Sequence, residues 1–415
     1  MSMPSIDRRT FLGTLSTGVA LGLAGCSSSC PDSDSPQPDT VVDTGDVGSG
    51  FDRLPGGSWP TPRFDAGNTG HARPHRTPTD SPSLRWRTRL PTPDIEGLDA
   101  GTSPPTVADG RVYLTTGTGV VALSLRDGST RWRNTDVGRP IGEGRELAAP
   151  VVGDAAVFAA TTDGLLALAP DDGAVDWRYA VSATGPPALV DAGPVLPTGD
   201  GVVALTPEGS ERWSAATGEV SEPPLAAAEG TVVAAGDGVT AVDAATGDRL
   251  WDSPVQSQSH PVVADGVVYL GTYEGLVALD LADGTERWTA DRGSGRAFTA
   301  PVVTDETVYA VERPAEAGDA TFAFDRTDDG PPEPRWCSYV GEGAVAAAAD
   351  GHALALQSGG GLEGGPPARL VAFTRRFGEA MWGFANSERA LPPAVLDGAV
   401  VVADRLGTVA AFGGG

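Results

Sequence analysis

The stretch 259–290, SHPVVADGVVYLGTYEGLVALDLADGTERWTA, recurs along the chain, and its recurrence limits the possible fold more than any other feature. Its short runs, Pro261 to Val263, Val267 to Leu270, Leu276 to Leu281 and Glu286 to Thr289, are punctuated by Asp265-Gly266, Glu274-Gly275 and Asp283-Gly284. Such pairs tolerate the left-handed backbone of a tight hairpin, so the unit reads as a four-stranded antiparallel meander. A lone sheet of this kind has two open faces and two raw edges. It cannot bury a core by itself, so the copies must stack.

Trp86, Trp132, Trp177, Trp213, Trp251, Trp288, Trp336 and Trp382 follow one another at intervals of 36 to 48 residues, each just after a turn and near the end of a copy. A period near forty with four strands per copy points to a β-propeller, and no useful length of 3.6-residue patterning competes with it. Intact copies lie at about 103–135, 148–180, 185–215, 222–253, 259–290, 299–339 and 343–384. One further copy is split. The strand around Leu84 to Arg87 has no three strands before it, while Pro393 to Phe412 supplies three strands and stops without a Trp. Joining the two ends predicts an all-β, eight-bladed propeller of four-stranded antiparallel blades, one of them closed by N- and C-terminal strands.

Acidic residues number 55 against 29 basic, a net charge of −26, and every basic residue is Arg. This balance argues against nucleic acid as a partner, because phosphate is repelled. A dense acidic coat without lysine suits concentrated salt, where self-repulsion is screened within about 3 Å at 1 M. The chain opens with Arg8-Arg9 ahead of a short apolar run from Phe11 to Ala24, too short to cross a bilayer. Residues 1–25 therefore read as an export signal. The run Leu23-Ala24-Gly25-Cys26 is similar to a lipobox, with Cys26 the lipidated residue after cleavage. Residues 26–55, rich in Ser, Pro, Asp and Gly, read as a disordered acidic tether that lets the globular part, 56–415, stand off the membrane. A pairing of Cys30 with Cys337 is not expected, since it would join a flexible tail to a buried thiol.

Ala278 to Trp288, ALDLADGTERW, keeps Ala at position one, Gly at seven and Trp at eleven; Ala122 to Trp132, Ala167 to Trp177, Ala241 to Trp251 and Ala372 to Trp382 repeat the spacing. This resembles the tryptophan-docking motif of pyrroloquinoline-quinone-type eight-bladed propellers. That family includes quinoprotein alcohol dehydrogenases and the β-barrel assembly lipoprotein B of bacterial outer membranes. Trp59 with FDAGNTG is also similar to an opening segment of exported proteins of this type, and twin arginines resemble a twin-arginine signal. The resemblance implies that each repeated Trp stacks between its own blade and the next, with its N–H on a backbone carbonyl, in a structural role.

The dehydrogenases in that family use adjacent cysteines, a calcium held by Glu and Asn, and a catalytic Asp. This chain has no adjacent cysteines and, in its blades, only Asn134 and Asn386. No catalytic residue, metal or cofactor is therefore expected. His71 and His75 flank Pro74 and share no helical face, and His260 precedes a Pro at a blade entrance, where a loop hydrogen bond is the expected role. Variation in length concentrates at 137–147, 311–320 and 357–369, on the face that carries the second hairpin turns and the links between blades. Arg139, Glu143, Arg145, Glu146, Glu312 and Arg313 are the candidates for a partner-binding rim. The leading expectation is a monomeric, exported, membrane-anchored scaffold for an unidentified protein at the cell surface. The alternatives are a small-molecule or sugar module using the axial channel, and a quinone-dependent dehydrogenase.

Overall fold

The computed structural model describes residues 40–42, 45–78, 82–91, 94–95, 98–99, 101–143, 146–221, 224–291, 296–314, 319–327, 333–339, 342–358, 369–385 and 390–414. Among these residues there is no helix, and eight sheets are each built on four strands in meander order. Blades 1 to 7 span 106–134, 151–179, 188–215, 226–253, 262–291, 296–339 and 342–385. Blade 8 takes three strands from 394–413 and its outermost from Ser83–Arg89. The architecture is a β-propeller.

Blade 5 shows why the repeat folds this way. Its strands are Val262–Ala264, Val267–Gly271, Gly275–Asp280 and Glu286–Asp291. Asp265 and Gly266 carry φ of 46° and 73°, the left-handed pair a two-residue hairpin requires. Side chains alternate between two neighbours. Val262, Tyr269, Leu276 and Ala278 pack toward Val303, Val308 and Phe322 of blade 6, while Val263, Val268, Leu270 and Val277 pack toward Val233, Ala235 and Ala241 of blade 4. A sheet buried on both faces has no polar side to alternate with, which accounts for the continuous apolar runs.

The docking expected of the repeated Trp is present. Ala278 pairs with Trp288 and Leu279 with Glu286, so a bulge falls just before the Trp, and the same register shift occurs at Ala122, Ala167, Ala204, Ala241, Ala323 and Ala372. The bulge re-aims the indole at the next blade. Six indole N–H groups donate to a carbonyl there, among them Trp86 to Leu125 at 2.7 Å, Trp132 to Pro170 at 2.7 Å, Trp177 to Pro207 at 2.9 Å and Trp251 to Leu281 at 2.7 Å. Trp213 and Trp336 donate to Ala244 and Arg375, and Trp382 donates to Pro78, ahead of the outermost strand of blade 8. Trp288 packs on Tyr269 of its own blade at 6.0 Å. The Gly of the motif serves the preceding blade's indole: a Cβ on Gly173 would lie 2.4 Å from the Trp132 ring.

The split blade closes as expected, with Leu84 opposite Phe412, Arg87 opposite Ala410 and Thr88 opposite Val409. The expected tether does not end where composition placed it. Thr40 and Val41 pair in parallel with Trp382 and Gly383 on the rim of blade 7. Gly48 and Gly50 donate to Leu84 and Arg85 of blade 8, and Phe51 donates to Arg126 of blade 1, whose guanidinium returns two bonds to Phe51 and Asp52. Backbone hydrogen bonds of this kind need no apolar side chains, so a polar composition hid the attachment. Residues 1–39, with Arg8, Arg9, Cys26 and Cys30, lie outside the described residues. Cys337, expected as a buried thiol, is half-buried and disulfide-bonded.

Gly173→Ala is expected to cost about 2 kcal/mol or more in denaturant unfolding, since φ of +72° and the Trp132 contact both oppose a Cβ. Gly199→Ala, where a Cβ meets nothing within 4 Å, is the control and is expected to change stability little.

Candidate functional site

The innermost strand of each blade is an edge strand facing the axis, and its outward N–H and C=O groups need partners. Residues 56–76 provide them. Trp59 exchanges bonds with Val107 of blade 1, and Pro60 accepts from Val152 of blade 2. Ala66 accepts from Ala227 of blade 4, Gly67 from Val263 of blade 5, Thr69 from Val303 of blade 6 and Gly70 from Ala348 of blade 7. On blade 8, Gly56 accepts from Asp397 and Arg76 from Gly398. Acceptors run in chain order as donors run in blade order, so the segment winds once around the axis and plugs it.

Two polar side chains extend the plug along the axis. Asn68, with φ of 59°, donates to Leu225 at 3.0 Å and Pro261 at 3.1 Å, bridging blades 4 and 5. Arg63 donates to Pro301 of blade 6 and to Asn68. These carbonyls lie four residues before the acidic residue of each first hairpin turn, and six of the eight blades carry Pro there: 105, 150, 187, 261, 301 and 393. A Pro on an inner edge leaves no N–H unpaired.

Burial holds Arg63 down to about 10, only partly offset by Asp65, whose own carboxyl is pushed up by burial against hydrogen bonds from Thr69. His260 is held well below its ordinary value by burial and by Arg63. Its Nε2 is buried and makes no hydrogen bond.

The face through which the plug enters carries an acidic residue at each first turn: Asp109, Asp154, Asp191, Glu229, Asp265, Asp305, Asp350 and Asp397. Arginines tie several of them across blades. Arg326 bonds Asp265 at 2.7 Å, the Tyr269 hydroxyl at 3.1 Å and the Thr304 carbonyl at 3.3 Å; Arg73 pairs with Asp305, and Arg76 with Asp350 at 3.6 Å. His71 lies 3.9 Å from Asp305, and burial with Arg375 and Arg73 holds it at about 4. No group of three or more His, Cys, Asp or Glu among the described residues is arranged to hold a metal.

On the opposite face the expected rim is only partly assembled. Arg139 is exposed, its carbonyl accepting from Thr162. Glu143 and Glu146 face each other across a two-stranded hairpin in the link between blades 1 and 2. Their side chains and all of Arg145 lie outside what is described. Arg313 is exposed and pairs with Asp319 at 3.5 Å. Glu312 is a correction: it is 3 % exposed, because the strand Thr307–Pro314 continues past the expected loop and is flanked there by Ala320 on one side and Phe298 on the other.

A family model described as outer membrane protein assembly factor BamB matches residues 75–189 and 182–382. The chain belongs to the BamB family. No curated protein matches its sequence. Among solved structures it is similar to BamB from Moraxella catarrhalis, at 15% identity and a TM-score of 0.58, covering 80% of this chain and 100% of that one. It is equally similar to quinohemoprotein alcohol dehydrogenase from Comamonas testosteroni, at 15% identity and 0.59, covering 86% and 80%. A computationally designed protein, Ika8, follows at 14% identity and 0.56, covering 77% and 98%. Likeness at this level fixes the fold alone, and one fold here spans an assembly factor, an oxidoreductase and a design.

Gly67→Ala would put a Cβ 2.4 Å from the Val263 carbonyl, and Asn68→Ala would strip two bonds from buried carbonyls. Each is expected to lower unfolding free energy by about 1–3 kcal/mol. Acidification is expected to destabilise the ring between pH 6.5 and about 4. In that window an unfolded His71 takes up a proton that the folded one refuses, so stability rises with pH. His260 and His352 act in the same direction, and Asp65 opposes them at the acid end. Thermal melts of His71→Gln across this range are expected to show a shallower dependence than the parent.

Proposed function

We propose that this chain is a non-catalytic, exported, lipid-anchored propeller that serves as a protein-interaction scaffold at the outer face of the cytoplasmic membrane. The observation that carries the reading is the filled axis. A propeller that holds a small molecule on its axis needs space between the inner strands, and here the chain's own backbone is bonded to seven of the eight blades at that level. What remains for recognition is the outer surface, especially the hairpins that rise from blades 6 and 7 and from the link between blades 1 and 2. Membership of a family described by an assembly factor is consistent with such a role. A disulfide at Cys337 supports export, since such bonds persist in oxidising compartments.

The partner rim is tested by affinity capture from intact membranes in molar salt. Arg139→Glu with Arg313→Glu is expected to lower recovery of a stoichiometric protein partner at least tenfold with folding intact. Equal recovery, or no stoichiometric protein at all, would count against the scaffold. Anchoring is tested separately, because Cys26→Ser is expected to move the protein from the membrane to the soluble fraction. The acidic coat supports a high-salt habitat, where screening within about 3 Å replaces one of about 30 Å at 0.01 M. Dilution from molar to tens of millimolar salt is therefore expected to lower the unfolding midpoint; a midpoint independent of salt would remove the argument.

A further inference from the structure

Arg63 carries its charge into the axis without an ion pair among the described residues. It is 8 % exposed. Its Nε donates to the Asn68 carbonyl at 3.3 Å and its Nη2 to the Pro301 carbonyl, while no described residue accepts from its Nη1. Asp65 is the carboxylate that acts on it, yet Asp65 turns Oδ1 to the Thr69 N–H at 2.9 Å and Oδ2 to the Thr69 hydroxyl at 2.6 Å. A buried guanidinium left with free N–H groups and no anion against it bears a desolvation penalty that neutral carbonyls offset only in part.

A second open donor lies beside it. His260 stands just before Pro261 and the inner strand Val262–Ala264 of blade 5, and its buried Nε2 makes no hydrogen bond. Asn68 links the two residues, donating to the Pro261 carbonyl at 3.1 Å while its own carbonyl accepts from Arg63. The guanidinium is close enough that its charge, added to burial, holds the imidazole neutral. A neutral imidazole protonated at Nε2 is a donor there, so two neighbouring side chains each present an N–H without an acceptor. We propose that Arg63 Nη1 and His260 Nε2 together bind one small monovalent anion of halide type, with chloride as the ordinary occupant, as a counterion sealed into the axial plug.

The groups present choose the ligand. A guanidinium only donates, so its occupant must accept, and the nearby carbonyls of Pro261 and Pro301 are already taken by Asn68 and Arg63. Water could accept, but it would leave the charge unbalanced. One guanidinium beside a neutral imidazole calls for a single negative charge. The bonds of Gly67 to Val263 and of Thr69 to Val303 hold the plug against blades 5 and 6 on either side of Asn68, and space confined in this way suits an ion of one atom. The inference stands apart from the scaffold reading, because an ion within the plug completes the axis whatever binds the outer surface.

Crystals of the full-length protein are soaked in bromide, a halide whose anomalous scattering marks its position. A peak bridging Arg63 Nη1 and His260 Nε2 is expected; its absence, or a water in its place, would overturn the site. In solution, chloride is exchanged for methanesulfonate at constant ionic strength, so that screening of the acidic coat stays fixed and cannot produce the effect. The unfolding midpoint is expected to rise with chloride and to saturate. His260→Phe lies outside the plug and removes one donor, so it is expected to fold and to weaken the apparent chloride affinity about tenfold. Arg63→Gln is expected to abolish both the rise and the bromide peak. A midpoint flat in chloride, or a rise unchanged in His260→Phe, would overturn the proposal.

Discussion

Stacking sheets around an axis buries their faces and leaves their edges, and the hydrogen bonds of the inner edge are what this molecule is built to complete. Each innermost strand turns a row of backbone groups toward the axis, where neighbours are too far round the ring to pair with them. The chain meets the donors with carbonyls from one aperiodic segment and removes many of the rest with Pro. The plug is therefore a ninth structural element of the ring. Its bonds to seven blades make the packing of any one blade depend on the course of the segment beside the others.

At the rim the same problem is met differently. The outer strands carry the Trp that reaches forward to the next blade, and the ring is sealed by pairing Ser83–Arg89 with Thr408–Gly413. That seam joins strands more than three hundred residues apart, so closing it carries the largest chain-entropy cost of any strand pairing within a blade. The N-terminal belt crosses it, with Gly48 and Gly50 on blade 8 and the ring of Phe51 beside both Gly413 and the Arg85 guanidinium.

What could be read from sequence divides along the same line. The blades were legible because they repeat: Asp-Gly turns, apolar runs and Trp recur with a period, and each copy corroborates the others. The split blade was legible because Leu84 to Arg87 and Pro393 to Phe412 are complementary fragments of that period. The plug occurs once and works mainly through backbone groups, so no hydrophobic pattern marks it. Besides the Trp59 and FDAGNTG resemblance, its indirect signal is the Pro that lies four residues before the turn acid in six of the eight blades, which acquires meaning only when the strand is known to face an axis. Glu312 misled for a related reason. A charged residue among Arg, Pro and Ala reads as a loop, but the hairpin of blade 6 continues through it, and a strand flanked on both sides buries whatever side chain falls inward.

Charge follows the architecture as well. Acidic residues occupy turns because Asp and Glu there accept local backbone bonds, as Asp280 does from Ala282 and Asp283 from Thr285, which costs nothing in the core. Placing one at each first turn, however, draws eight carboxylates around a single mouth, and their mutual repulsion works against ring closure. Arg73 and Arg76 from the plug segment and Arg326 from blade 6 stand among those carboxylates. The segment that completes the backbone at the axis thus also brings positive charge to the mouth it enters. Salt in the solvent would then have to screen only the part of the coat that these internal partners do not reach.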